Sequence, residues 1–273
     1  MDARPSLVEG SGRIRMAKST IPPDAAPRFD GADLTGARFE GANLEQARFK
    51  SSKLDGARFE GGSLSRVRVK NTTLIGLDVD DIDAKASRIA NADLTSLSLT
   101  DANLSHAELR DIDGTKLRLT DAKLGEARLE NVEGRRLELS DANLAGAHLT
   151  NVDLSSAVLD DAKLAGASLK NCDLGGVTIT DASFARAILE DVDAAGCTLT
   201  DAKLAGARFI DVDLEGVTLE NAKLTGARLH NVDLSNAKID GATLAGLTIN
   251  GFKIDELIAA ARAAQGTGTQ RMP

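Results

Sequence analysis

Apolar residues recur at every fifth position from Phe29 to Ile254, and no standard secondary structure has that period. Of the 46 positions in the series, all but Ala84, Gly114, Gly134 and Ala194 are Leu, Ile, Val or Phe. A second, mostly smaller apolar series runs two positions before it, as at Ala32, Ala37, Ala42 and Ala47. A helix would need spacing near 3.6 and a strand spacing 2. Spacing 2 within a unit and 5 between units describes short extended pieces joined by corners. Each piece turns two side chains inward. Turn formers such as Gly36, Gly41, Gly56, Asp101, Asn151, Asn171, Gly206 and Gly216 fall where the corners must be.

The smaller inward position gives the number of sides. Every twentieth residue from Ile112 reads Ile112, Val132, Val152, Cys172, Val192, Val212, Val232. Starting at Leu97, the series is Leu97, Leu117, Leu137, Ala157, Val177, Cys197, Val217, while the series from Ala102 to Ala242 and from Ala107 to Ala227 are alanine throughout. Four units of five therefore close one coil.

The units "ADLTG", "ANLEQ", "AKLAG" and "ANLAG" resemble those of the pentapeptide-repeat family, which read roughly Ala-Asp/Asn-Leu-x-x. The resemblance implies an all-β solenoid, a right-handed quadrilateral β-helix of about 11 coils over residues 29–252. Right-handed crossovers are the general rule for parallel strands. At ~4.8 Å per stacked strand the rod is roughly 54 Å long.

Composition agrees with a narrow interior. Of 273 residues 42% are apolar, yet Trp and Tyr are absent and Phe numbers 7. The core is expected to be Leu and Ala, too thin for aromatics. Gly114 and Gly134 lie one coil apart and each removes an inward leucine. Leu117 and Leu137, in slots otherwise small, are expected to refill that volume, since cores tolerate voids badly.

The ends differ from the shaft. Residues 1–28, with Pro22, Pro23 and Pro27, read as a tail or loose cap. Residues 253–265 switch to helical spacing, with Ile254, Leu257, Ile258 and Ala261 on one face and Gly266 as a stop. This segment is read as a capping helix over the last coil or as a homodimer contact through Ile254, Leu257 and Ile258, the latter implied by the resemblance. Residues 266–273 read as a disordered tail.

Chemistry is hard to find in this chain. Cys172 and Cys197 replace valine at inward positions and read as packing residues; two cysteines are too few for a disulfide framework and suit a reducing compartment. His106, His148 and His230 fall in different coils, so no metal site is expected. No cofactor, catalytic group or enzyme activity is expected. No apolar run approaches the ~20 residues of a membrane-spanning helix, and no signal peptide is evident. A cytoplasmic location without a membrane partner is therefore expected.

What remains is the surface. Sorted by position in the twenty-residue cycle over residues 32–251, the side beginning at Ala32 carries formal charge −7 and that beginning at Ala37 carries −11. The sides beginning at Ala42 and Ala47 each carry +4. Two ladders build the acidic half. One includes Asp153, Asp173, Asp193, Asp213 and Asp233; the other includes Asp101, Asp121, Asp141, Asp161, Asp181 and Asp201. Asp at a corner can accept a backbone N–H as an Asx-turn, and Asn131, Asn151 and Asn171 occupy equivalent corners. That reading competes with a functional field, because like charges ~4.8 Å apart repel.

The resemblance implies a non-enzymatic protein that acts by binding another protein. Its topoisomerase-protecting members suggest an acidic rod that imitates duplex DNA and binds DNA gyrase or topoisomerase IV, with no direct contact to nucleic acid. The alternative is a generic interaction scaffold without a topoisomerase role. A net charge of −8 fits either and argues against non-specific DNA binding.

Overall fold

A computed structural model describes residues 26–268. The chain winds as a four-sided β-solenoid followed by one helix, Ile254–Gly268. Two opposite sides are continuous parallel sheets: 13 strands on the side beginning at Ala47 and 11 on the side beginning at Ala37. The 13 include the short antiparallel pair Thr248–Ile249 and Phe252–Lys253 at the C-terminal end. The other two sides are joined coil to coil by single bridges, such as Asn103 to Lys123 and Asp153 to Asp173.

Every parallel pair is offset by twenty residues. Phe29 lies opposite Phe49, Leu129 opposite Leu149, and Leu229 opposite Ile249. The register is held because a one-residue slip would turn the whole leucine set to solvent. The leucines and alanines form a single core, with Ala47, Ala107, Ala147 and Ala207 fully enclosed.

The corners are of two kinds. At one, the inward residue's carbonyl accepts the N–H three residues on, as in Leu124 O from Ala127 N at 3.0 Å. The residue in the third place, such as Glu126 (φ 57°) or Gly146 (φ 69°), is left-handed. The other kind has no such bond at, for example, Leu119–Ala122, and the chain turns through a left-handed residue such as Asp121 (φ 52°). Open corners hold Gly, Asn or Asp throughout, except at Ser51, whereas bonded corners also accept Arg, Lys, His, Glu and Gln. Asn and Asp tolerate that conformation better than other side chains with a β-carbon.

Two expectations about the interior need correction. It does admit aromatics: Phe29 and Phe49 stack with centroids 4.7 Å apart, and Phe39 and Phe59 with centroids 4.3 Å apart, both pairs within 8° of parallel. The coil repeat is close to a ring-stacking distance, so flat rings fit where successive coils supply them. The glycine gaps are also filled in two different ways. Leu117 Cδ2 lies 3.6 Å from where a β-carbon on Gly114 would sit, so Leu117 refills that gap. At Gly134 the filler is Leu154 of the next coil, at 3.0 Å, and Leu137 brings only its β-carbon, at 3.9 Å.

Polar residues at small inward positions mostly follow one rule, Thr72 excepted, whose hydroxyl donates to Lys70 O at 3.1 Å. Ser52, Ser87, Cys172 and Cys197 each donate to the carbonyl twenty-three residues earlier, the inward leucine-type carbonyl of the previous coil. Ser87 Oγ donates to Leu64 O at 2.8 Å and accepts Val67 N–H at 3.1 Å. A buried hydroxyl is thereby paired at both ends.

The helix meets the coil through its beginning. Ile254 N–H donates to Leu247 O at 3.0 Å and Gly246 N–H to Asp255 Oδ2 at 2.8 Å. Ile254, Asp255 and Ile258 are half-buried, while Leu257 is 53% exposed and Phe252 66%. Leu234 and Leu244 of the last coil stay half-buried and Ile239 is exposed, so the helix covers the end of the core only in part. Of the tails expected over residues 1–28 and 266–273, residues 1–25 and 269–273 lie outside the described residues; Arg28 opens the first strand, and the helix runs through Gly266 to Gly268.

Candidate functional site: the acidic ladders

The two acidic ladders have different origins. Asp101, Asp121, Asp141, Asp161, Asp181 and Asp201 all occupy open corners, with φ between 49° and 54°. All six are exposed, and their column is extended by Asp81 in the coil before. The backbone at this corner stays paired, as in Asp141 N to Asp160 O and Asp181 N to Thr200 O, both 3.0 Å. The corner therefore dictates Gly, Asn or Asp, and Asp is one choice of three. Among the described residues none of the six takes part in an ion pair.

The second ladder spends its carboxylates locally. Asp153 Oδ1 accepts Ser155 N–H at 2.9 Å, Asp173 that of Gly175 at 2.8 Å, and Asp193 that of Ala195 at 3.0 Å. Asp213 and Asp233 repeat the bond with Glu215 and Ser235 at 2.8 and 2.7 Å. These are Asx-turns that shape the chain after each inward leucine. Burial pushes the Asp153 carboxyl up, but bonds from Arg135 and Ser155 outweigh it and hold it below the usual range. Ser235 holds Asp233 down through its hydroxyl and its N–H.

The solenoid thus lines up each ladder but brings no two of them together. The Asp101–Asp201 column lies on the corner after the side that begins at Ala37, and the Asp153–Asp233 ladder lies on the side that begins at Ala32. At the corner beyond the other sheet, the same open geometry carries an amide ladder. Asn91 donates to Asn71 at 3.2 Å, Asn151 to Asn131 at 2.9 Å, and Asn171 to Asn151 at 3.3 Å.

The twenty-residue cycle already puts Arg48, Arg68 and Arg88 in one column, and the pairing sets them face to face, as it does Lys50 and Lys70.

Among the described residues no group of three or more His, Cys, Asp or Glu could hold a metal ion. Both cysteines are buried free thiols, with burial pushing Cys172 up and Cys197 to about 11. No helix among the described residues is long and apolar enough to cross a membrane.

Known proteins place this architecture. The model for pentapeptide repeats matches in 8 copies, over residues 28–66, 92–133, 138–176, 179–216 and 213–246. No curated protein matches the sequence. Among solved structures, HetL of the cyanobacterium Nostoc, a pentapeptide repeat protein involved in heterocyst differentiation regulation, is 24% identical, with TM-score 0.31. That match covers 88% of this chain and 91% of HetL. Trypsin-treated QnrB1, a plasmid-mediated fluoroquinolone resistance protein, is 15% identical over 90% of this chain and 98% of its own, with TM-score 0.39. A pentapeptide repeat protein of the Arabidopsis thaliana thylakoid lumen is 25% identical over 47% of this chain and 77% of its own, with TM-score 0.16. With its repeats matched over more than half its length and wound into the coil they imply, the chain belongs to the pentapeptide-repeat family.

Proposed function

We propose that the protein is a non-enzymatic binding rod that presents its acidic side in place of duplex DNA to a type II topoisomerase, DNA gyrase or topoisomerase IV, and protects it from poisons or modulates it. The observation that carries this reading is the Asp101–Asp201 column. Six exposed carboxylates stand one per coil, without ion pairs among the described residues, where asparagine would serve the backbone equally well. Such a line of uncompensated charge speeds encounter with a basic groove and selects for it. A rod roughly 20–25 Å across, from four sides at ordinary layer spacing, has the girth of a duplex. The two free, buried cysteines suit a reducing, cytoplasmic setting.

The test is a gyrase supercoiling assay with and without a topoisomerase poison. The intact protein is expected to relieve the poison or slow turnover. Asp141→Asn, Asp161→Asn and Asp181→Asn together should abolish that effect while circular dichroism stays unchanged. No effect of the intact protein would end the topoisomerase reading.

One observation favours a generic scaffold instead. The Asp153–Asp233 carboxylates each already hold a backbone N–H, so that ladder has a structural reason to exist. Pairing of two rods through the C-terminal helix belongs to the same proposal, supported by the exposed Phe252 and Leu257.

A further inference from the structure

The side beginning at Ala47 treats charge in two opposite ways along its length. From the fourth coil onward, three neighbouring-coil pairs oppose charges of different sign, although Arg208 still faces Arg228. Arg88 meets Glu108 at 2.9 Å, Arg110 meets Glu130, and Lys170 meets Glu190 at 2.7 Å, each pair twenty residues apart. The coils at 47, 67 and 87 do the reverse among themselves, after an opening strand, Arg28–Asp30, whose Asp30 faces Lys50. Residues 47–51, 67–71 and 87–91 hold Arg48, Lys50, Arg68, Lys70 and Arg88 and no carboxylate. Arg48 faces Arg68, Arg68 faces Arg88, and Lys50 faces Lys70 in strict register. Like charges directly opposite in a sheet destabilise it. Arg48 is partly relieved by Asp30 at 3.3 Å and Arg88 by Glu108, but Lys50, Arg68 and Lys70 have no ion pair among the described residues. Arg208 facing Arg228 repeats the like pairing once, but five cations over three successive coils with no carboxylate among them occur on this side only here.

The whole rod is polarised in the same sense. Residues 26–75 carry nine Lys or Arg against six Asp or Glu, whereas residues 76–268 carry 19 against 32. The strip is thus a basic end on an acidic shaft, and the 11-stranded sheet directly opposite is the most acidic side.

We infer that this strip is a docking surface for the anionic phosphodiester headgroups of a lipid bilayer. Three of the five cations are guanidinium groups, whose planar fork matches phosphate oxygens two at a time. Clusters of this size are enough for attraction to an anionic leaflet. Nucleic acid carries the same phosphodiester but fits less well. No exposed aromatic lies beside the strip to stack bases, because Phe29 and Phe49 point inward and the exposed Phe252 stands at the far end of the sheet, and no helix or ribbon projects from the strip to enter a groove. A duplex also has fixed charge on both sides of the strip and would be repelled by the acidic shaft. A fluid bilayer can gather anionic lipids under the strip and leave neutral ones under the rest.

Sedimentation of the full chain with vesicles tests this. At roughly 50 mM salt, binding is expected to phosphatidylcholine vesicles containing a quarter phosphatidylglycerol, and not to phosphatidylcholine alone; it should fade by about 500 mM. Arg68→Glu with Lys70→Glu should lower the bound fraction about tenfold. The milder Arg68→Gln with Lys70→Gln should lower it in the same direction with an unchanged circular dichroism spectrum, and Asp181→Asn should leave it intact. Equal binding by the variants, no binding to the anionic vesicles, or tighter binding to a duplex DNA fragment than to vesicles would overturn the inference.

Discussion

Asn131 donates its side-chain amide to the Asp111 carboxylate of the previous coil, 2.8 Å away, and both residues hold a left-handed backbone. An amide can donate upward and accept from below, so a column of asparagines pairs itself along the rod. The Asp101–Asp201 column has the same backbone but only acceptors. Replacing Asp121, Asp141, Asp161 and Asp181 by Asn is therefore expected to raise thermal stability, by about 0.2–1 kcal/mol per neighbouring pair relieved. Thermal unfolding followed by circular dichroism reads the change. A drop in the midpoint would show that these carboxylates stabilise the corner as anions.

The two inward glycines should part company when enlarged. A β-carbon on Gly114 meets nothing nearer than 3.6 Å and its φ is not left-handed, so Gly114→Ala is expected to stabilise by about 0.4–1 kcal/mol. At Gly134 the added carbon meets the Asp153 carbonyl at 3.2 Å and Leu154 Cδ2 at 3.0 Å. Leu154 can yield, since an apolar cavity of about 120 Å³ runs beside it, but the carbonyl belongs to the sheet. Gly134→Ala should cost about 1–3 kcal/mol. Denaturant titration of both variants gives the order, and the reverse order would refute the packing account.

Cys197 makes stability depend on alkaline pH. Burial, the largest cause, lifts its thiol from 9.0 to about 11 in the folded chain. Between those values the unfolded thiol releases its proton while the folded one keeps it. The folded state thus binds more protons, and stability must fall as pH rises. It is undiminished below pH 9 and declines towards pH 11, by about 2–3 kcal/mol from this group. Cys197→Val, the residue found at Val177 and Val217 in the same series, should flatten that decline relative to the parent. Chemical denaturation at pH 8 and pH 10.5 compares the two.

The C-terminal end separates coil stability from association. Leu247 is 1% exposed and Leu257 53%. Leu247→Asp buries an unpaired charge and should unravel the last coil, visible as lost protection in hydrogen exchange. Leu257→Asp should leave the melting midpoint within about 0.5 kcal/mol of the parent. If two rods pair there, it should also convert a dimer to a monomer by light scattering. An unchanged mass would remove the pairing from the proposal.

The fold was readable in the sequence because the leucine series never slips, and an inward position every fifth residue leaves one closed path. The glycine pair shows where reading stopped: Gly134 is filled across coils by Leu154, a contact that one-dimensional spacing does not contain. The stacked phenylalanines were in the inward series, but their fit depends on ring geometry between coils. The acidic ladders were visible as columns, yet their difference was not. Asp153 sits before an inward leucine and holds an N–H two residues on, while Asp141 sits on a left-handed corner with nothing to hold. Only backbone angles separate those cases.

The constant offset of twenty residues has a consequence for how such genes can change length. Gaining or losing a single pentapeptide keeps every downstream leucine inside but rotates all later faces by a quarter turn, carrying the aspartate column away from its own continuation. Only whole windings, gained or lost together, conserve both the interior and the painted exterior. Relatives that share this protein's partner should therefore differ in length by complete windings, while those that share only its architecture are free to differ by fractions of one.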